Sequence, residues 1–506
     1  DSMNRQAKLL LLLSLALLAV LSATGAGAMG TDAPAARPAQ TDEMPEGAMP
    51  PLGVGALKAP ERLLLRPSGP AGQPSTDFQS SADAPVISIW YGAVQQFGAK
   101  GDPQKWINIL GSVASATPIT SLTYSLNGGA PVVLNLGADN MRLASQGDFN
   151  IELDYTDLLA GNNQVVITAL DSAFASSQAV VTVQYSAAPA WTPQTYTVNW
   201  GAAAKLTDVA QVVDGQWIID SGAARPTVIE FDRLLAIGDL SWKDYTVSVP
   251  ITILGIDPSG YQAPSNGPGV GVMVRWQGHF MAENDTQPRT GWRRLGALGW
   301  YRWKSNPTSE GLQLLGHRGF VLGESTRTLN LNTTYIFKIS VESNANPSKP
   351  SMYRFKVWEA AQAEPAAWDF EKQGIDREPR SGSILLLAHH VDARFGNVTV
   401  NLNSVLPQPQ LKLSATGTGT GSIQAAPDKG TYRFGEDVTL TAVPGANSTF
   451  LNWLGDLSGT ANPAALEMFE DRTVAAVFTN PAVQTPISDD FSGCALNSQR
   501  WTFINP

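Results

Sequence analysis

The sequence predicts an all-β protein built from several sandwich modules, and three observations predict it. Charged residues are only 15% of the 506 residues against 43% hydrophobic, while glycine and proline supply 46 and 34 positions. Short apolar runs alternate with polar residues at period two, the spacing that sends successive side chains to opposite faces of a sheet. Turn residues interrupt these runs at roughly 8–12-residue intervals, and long stretches rich in Glu, Lys and Leu are absent. The length implies about three domains at roughly 150 residues each.

The N-terminus reads as a targeting segment. Arg5 and Lys8 form a basic start, Leu9 to Leu21 is an apolar or small run broken only by Ser14, and Ala26-Gly27-Ala28 is an A-x-A cleavage site. Residues 1–28 are therefore expected to be a secretory signal peptide, with an uncleaved anchor as the alternative. The run is shorter than the roughly 20 apolar residues of a membrane span, and no later segment approaches that length. The lone cysteine, Cys494, excludes a disulfide framework and a lipidated cleavage site. This fits a bacterial protein exported or held at the cell surface. The net charge of −10 argues against nucleic acid as partner. Residues 29–84, rich in Ala, Pro, Gly and Ser, have too little apolar content for a core and read as a disordered linker.

Residues 86–185 contain VISIWYG, WINILGSV, SLTYSLN, PVVLNL, DFNIELD, NQVVITALD and QAVVTVQY. Seven short runs in about 100 residues predict an Ig-like sandwich. The SLTYSLNGG and GDFNIELDYTDLLAGNNQVVITALDS stretches resemble bacterial Ig-like and cadherin-like modules. Asp154, Asp157 and Asp171 raise the question of calcium, but the hairpin recurs in such modules without metal, so they read as turn residues.

Residues 190–405 form the largest expected unit. Tyr245, Val247, Val249, Ile251 and Ile253 alternate with Thr246, Ser248 and Thr252; Tyr353, Phe355 and Val357 alternate with Arg354, Lys356 and Trp358. The order WKDYTVSV, GVGVMVRW, FGNVTVNL resembles the laminin-G-like, concanavalin A-like jelly-roll sandwich of secreted bacterial proteins, a resemblance that speaks for fold more than function. Residues 409–479, with Gly435 before VTLTAVP, WLGDLSG from Trp453 and a closing AAVF, resemble the divergent internalin-type B repeat, a small β-rich module in which Trp453 is expected to be core. DDFSGCALNSQRWTF, within residues 485–506, resembles the opening of a second, truncated concanavalin-like domain, which one strand alone cannot complete.

Chemistry is sparse. No E-x-D-x-x-E spacing of glycosidase carboxylates occurs in residues 190–405. Glu230 and Asp232 come nearest and read as a solvated edge; Glu283 and Asp285 read as loop. On one strand His389 and His390 would point to opposite faces, one buried and one exposed, and so would not share a metal. No H-E-x-x-H, G-x-S-x-G or P-loop stands in a suitable context. The aromatics remain: ten of the fourteen tryptophans lie in residues 190–405. Sugars are bound by aromatic rings against their C–H faces and by Arg, Asp, Asn or His at their hydroxyls. Arg275, Trp276, Trp292, Trp300, Tyr301, Arg302, Trp303, Arg354 and Trp358 are accordingly the candidate carbohydrate-binding residues. Alternation puts Trp300 and Arg302 on one face and Tyr301 and Trp303 on the other, so one pair is core and the other lines the groove, with Arg354 and Trp358 as neighbours. The alternative for all of them is sandwich filling with Arg stems packed over Trp.

The expected function is non-catalytic binding of extracellular polysaccharide or cell-surface glycan, with the jelly roll as ligand domain and the other modules as spacers. A polysaccharide hydrolase or lyase and a structural adhesin are the rivals. No catalytic residue and no cofactor is assigned; resemblance to calcium-stabilised lectins leaves room for structural calcium without naming ligands.

Overall fold

Alternation is realised fully in the strand Trp242–Ile256, where Tyr245, Val247, Val249, Ile251 and Ile253 are buried while Thr246, Ser248, Pro250 and Thr252 are half-exposed. The computed structural model describes residues 84–480 apart from 264, 281–286, 293–294 and 306–307. The expected signal peptide, the linker up to residue 83, Glu283, Asp285 and the 485–506 strand lie outside the described residues. Among those described, the chain is strands joined by turns and short 3-10 segments, with no α-helix. No helix among them is long and apolar enough to cross a membrane.

The central unit is two sheets packed face to face. One has seven strands in the order Gln211–Asp214, Arg233–Ile237, Ser383–His389, Gly269–Trp276, Ala297–Ser305, Thr308–Gly316, Val321–Thr326. The other has nine, centred on Trp242–Ile256, which pairs with Thr334–Glu342, Val391–Phe395 and Val398–Val405. Between them lies one continuous core that includes Trp217, Trp242, Tyr245, Tyr301, Trp303, Phe337, Tyr353 and Phe355. At about 25 cal/mol per Å² of buried apolar area, a core of this extent is the main source of stability in a chain without disulfides.

Residues 86–185 form a smaller sandwich of a three-stranded and a five-stranded sheet. Its strand Val94–Phe97, too polar to be legible in the sequence, pairs parallel with Ser176–Tyr185. Asp154 caps the short turn after it by accepting from the Thr156 amide, and Asp171 accepts from the amides of Ala173 and Ala175, which accounts for both as turn residues. Residues 411–479 fold into two three-stranded sheets around Tyr432, Leu440, Trp453 and Phe478, with the Trp453 indole donating to the Ala461 carbonyl at 2.7 Å.

These units are packed together rather than strung out as spacers. The core of the first sandwich takes in Leu240 of the central unit and Phe434 of the last. Lys105, buried, reaches Asp437 at 2.6 Å and Glu467 at 3.2 Å. Arg433 lies over Tyr155 and Tyr185, 4.5 and 5.1 Å from the ring centroids, and bonds Asp102 at 3.2 Å. Asp102 in turn donates its amide to Asp239 of the central unit at 2.9 Å.

That junction carries a titratable group. Burial first and the neighbouring Asp239 charge second push the Asp102 carboxyl up to about 7, against the pull of Arg433. An acid whose folded pKa exceeds its unfolded value leaves the native state binding more protons, so its contribution to stability falls as pH rises between the two values. We predict that urea midpoints of the wild-type protein fall from pH 4 to pH 7 and that Asp102→Asn flattens this slope. Parallel slopes for the two proteins would exclude Asp102 as the cause.

Candidate functional site

The seven-stranded sheet is apolar on both sides. Its inner side meets the main core; its outer side carries a second cluster of Val213, Leu234, Met273, Trp276, Leu298, Trp300, Leu385 and Leu387. The first sandwich covers one end of this outer side through a buried polar network. Arg142 bonds Asp214 at 2.7 Å and Glu152 at 2.6 Å, with all three side chains buried. Asn150 donates to the Val213 carbonyl at 2.8 Å, and His279 meets Asp214 at 3.2 Å. Arg289 stacks 3.6 Å from the Trp106 ring centroid and gives its amide to Glu152 at 2.8 Å.

The other end stays open as a shallow cleft of about 90 Å³. Its floor and walls are Met273, Leu298, Trp300, Leu387, Trp292, Leu295 and Leu315, with Asp232, Arg302, His317, Arg318 and His389 supplying polar groups. The volume is well under the roughly 300–1,000 Å³ of pockets that engulf a ligand, so the cleft suits recognition of one face of a larger molecule.

Register explains the floor. Trp300 pairs with Gly271 on one side and Gln313 on the other. A Cβ on Gly269 would lie 2.6 Å from the Trp300 ring, and one on Gly271 would also collide with Trp300. Two glycines two residues apart on the outer face therefore make the bed for this indole. Its Nε1 donates to Gln313 Oε1 at 2.9 Å, and the Arg302 guanidinium stacks 4.5 Å from its ring centroid. Trp292 stands at the rim on a two-residue strand paired with His279–Phe280, half-buried, its ring 4.8 Å from His279.

Of the nine candidate residues the fold brings Trp292, Trp300 and Arg302 together. Tyr301 and Trp303 point the other way, edge to face at 4.7 Å in the sandwich core. Trp276 is on the outer face but fully buried beside His279, under the first sandwich. Arg275 leaves the face altogether. A bulge between Val274 and Trp276 puts it at φ 52°, and its guanidinium is spent on Lys243, Asp244, Ser343, Ser351 and Pro379. Arg354 and Trp358 do not join the groove, because their strand belongs to the nine-stranded sheet and they face out from its far side. There Arg354 is held between Glu342 and Glu371, each at 2.7 Å, and Lys356 lies between Trp358 and Trp368.

The sequence reading of the acids and histidines needs correction. Glu230 and Asp232 precede the Arg233–Ile237 strand instead of sharing a strand face, and Asp232 is buried. It accepts from His389 Nδ1 at 2.7 Å, leaving the other ring nitrogen of His389 outside that pair. Burial alone would raise the Asp232 carboxyl, but the charge and hydrogen bond of His389 outweigh it and hold the carboxyl below its ordinary value. The strand ends at His389, and His390 turns to φ 53°, so alternation does not apply and both histidines are buried, their rings edge to face at 4.8 Å. His390 is pushed down to about 4, by burial and then by His389. Ligand atoms of Glu230, Asp257 and His390 lie within 4.8 Å of one another, a set of one imidazole and two carboxylates that fits a divalent cation. Three separate turns supply these groups, which is why no sequence spacing marks them.

The chain's last unit has a counterpart among known families. Residues 411–482 match the divergent InlB B-repeat domain. No curated protein matches the chain. Among solved structures it is similar to a mutant of the alginate lyase Aly36B in complex with an alginate trisaccharide (11% identity, 42% of this chain and 99% of that one, TM-score 0.28). It is also similar to the lectin UEA-II complexed with galactose (8%, 42% and 100%, TM-score 0.27). A third is the PL-14 alginate lyase from Aplysia kurodai (10%, 42% and 90%, TM-score 0.24). Likeness at this level says nothing of ligand.

The Asp232–His389 pair gives a direct test of the cleft's architecture. Asp232→Asn removes a charge-assisted bond worth about 1.5–3 kcal/mol. Because the folded carboxyl lies below its unfolded value, this stability is present above the unfolded pKa and is lost as pH falls through the folded one. Urea unfolding is expected to show the variant weaker at pH 7 and the gap closing toward pH 2; a gap unchanged with pH would rule the pairing out.

Proposed function

We propose that this is a secreted, surface-associated bacterial protein that binds extracellular carbohydrate, with the Trp292–Trp300–Arg302 cleft as its ligand site. The observation that carries the reading is the cleft itself. Trp292, half-buried at the rim, offers the aromatic face, and Trp300 (3% exposed) on its glycine bed supports the cleft beneath. Planar polar groups stand beside them. These are the kinds of group that meet a sugar's C–H face and hydroxyls. Shallow form favours a chain lying across the sheet over a molecule swallowed by it. The B-repeat match and the apolar N-terminal run support the surface and export parts of the proposal.

A second reading, a polysaccharide-cleaving enzyme, has the Asp232–His389 pair in its favour: a carboxylate that orients an imidazole at a cleft is the arrangement of a general base and its partner. Release of reducing ends or unsaturated products from a polysaccharide panel, abolished by His389→Ala, would establish it over binding alone.

For binding, affinity electrophoresis of the full chain in polysaccharide-containing gels is the measurement. Retardation by at least one glycan is expected, with Trp292→Ala weakening affinity roughly tenfold, the order expected for losing one aromatic contact of about 1.5 kcal/mol. Migration unchanged by every glycan would end the proposal.

A further inference from the structure

We propose that the cleft selects acidic glycans, taking the carboxylate or sulfate of a sugar between Arg302 and Arg318. This rests on the carbohydrate-binding reading and names its ligand class. Arg302 is half-buried against Trp300 and uses one of its donors on the Ser265 carbonyl at 2.8 Å. A guanidinium has five N–H donors in a planar fork, and no carboxylate lies within ion-pair distance of Arg302 among the described residues. Burial draws its pKa down, against the pull of Asp232, so the charge is one that water screens poorly.

Arg318 is the second, independent observation. It stands at φ 61°, in the left-handed region, within the 3-10 turn His317–Gly319. A long unbranched side chain adopts that conformation rarely, and such outliers concentrate where a ligand is held. Its Nε is buried without a hydrogen-bond partner. Arginines elsewhere in the central unit behave differently. Arg225 is held by Asp220 and Asp392, Arg354 by Glu342 and Glu371, and Arg275 has a partner at every nitrogen.

The one carboxylate among the described residues lining the cleft is Asp232, and its charge is answered by His389. Among the described residues, two guanidiniums thus line a partly desolvated cleft whose one acid, Asp232, is bonded to His389. A fork in this state binds planar carboxylate or tetrahedral sulfate through paired, charge-assisted bonds. The ring of the same sugar would lie toward Trp292. Because the chain as a whole is acidic, general polyanion attraction is not what the cleft offers; the charge is local and set beside an aromatic surface.

The test is calorimetric titration of the full chain with four probes: polygalacturonate, carrageenan (a sulfated galactan without carboxylate), neutral galactan and a single-stranded DNA 20-mer. At least one acidic glycan is expected to bind tenfold or more tighter than galactan, with affinity falling as NaCl rises, and its identity tells carboxylate from sulfate. The Arg302→Gln/Arg318→Gln variant is expected to lose that preference. Galactan bound as tightly as the acidic glycans, or DNA bound as tightly as either, overturns the inference. In the first case the broader carbohydrate reading stands; absence of binding to any glycan removes both. The comparison of probes on the wild-type protein decides the question even if the double variant does not fold.

Discussion

Everything distinctive about this molecule follows from a sheet that is apolar on both faces. In the strands Arg233–Ile237, Gly269–Trp276 and Ser383–His389 every residue is buried. An antiparallel sheet with one wet face would show clean alternation, as Trp242–Ile256 does on the opposite sheet. The seven-stranded sheet therefore needs two covers. The nine-stranded sheet is the first. The second is assembled from the neighbouring sandwich and residues 279–280 and 287–292, and it stops short of the far strands. The cleft is what this incomplete cover leaves open.

The cover is oriented by buried charge as well as packed by apolar contact. Arg142 lies between Asp214 and Glu152 with all three out of water, and His279, Arg289 and Asn150 complete the network. Taking such charges from water costs about as much as their attraction returns, whereas removing one partner from an intact cluster costs about 3–5 kcal/mol. The consequence is orientational: any seating of the first sandwich that separates Arg142 from Asp214 is disfavoured by roughly that amount. A linker of a few residues between the units could not fix the angle; these buried bonds do.

Much of this was legible in the sequence, and the illegible parts have physical causes. Period two in Tyr245–Ile253 and Tyr353–Val357 is a property of one strand, so inner and outer residues could be separated, as could Trp300 and Arg302 from Tyr301 and Trp303. Which pair faces outward depends on the partner sheet, a long-range fact. Alternation failed where the backbone departs from a strand: Arg275 and His390 both have positive φ, one at a bulge and one at a strand end. Grouping Arg354 and Trp358 with the groove failed because a strand's alternation does not say to which sheet it belongs. Asp232 and His389 are 157 positions apart, and Glu230 and Asp257 are likewise remote from His390, beyond any spacing rule. One sequence signal for the cleft was available. The GVG of Gly269-Val270-Gly271 in a strand otherwise rich in β-branched residues marks a place where a large group comes close, and Trp300 is that group.

The same geometry changes what the flanking sandwich is for. Trp292 sits on the Gly291–Trp292 strand, which pairs with His279–Phe280. His279 bonds Asp214, its carbonyl receives the Trp106 indole at 2.8 Å, and Arg289, just before Trp292, is clamped on Glu152 and the Trp106 ring. The rim of the cleft is therefore positioned by residues of the first sandwich together with Asp214 of the sheet beneath it. A spacer can be lengthened or replaced without altering the site it carries. A unit whose Trp106, Arg142 and Glu152 set the position of a rim indole cannot, because moving it by even an ångström moves Trp292 relative to Trp300. The first sandwich is in this sense one wall of the site, and the central unit without it would retain the floor and lose the rim.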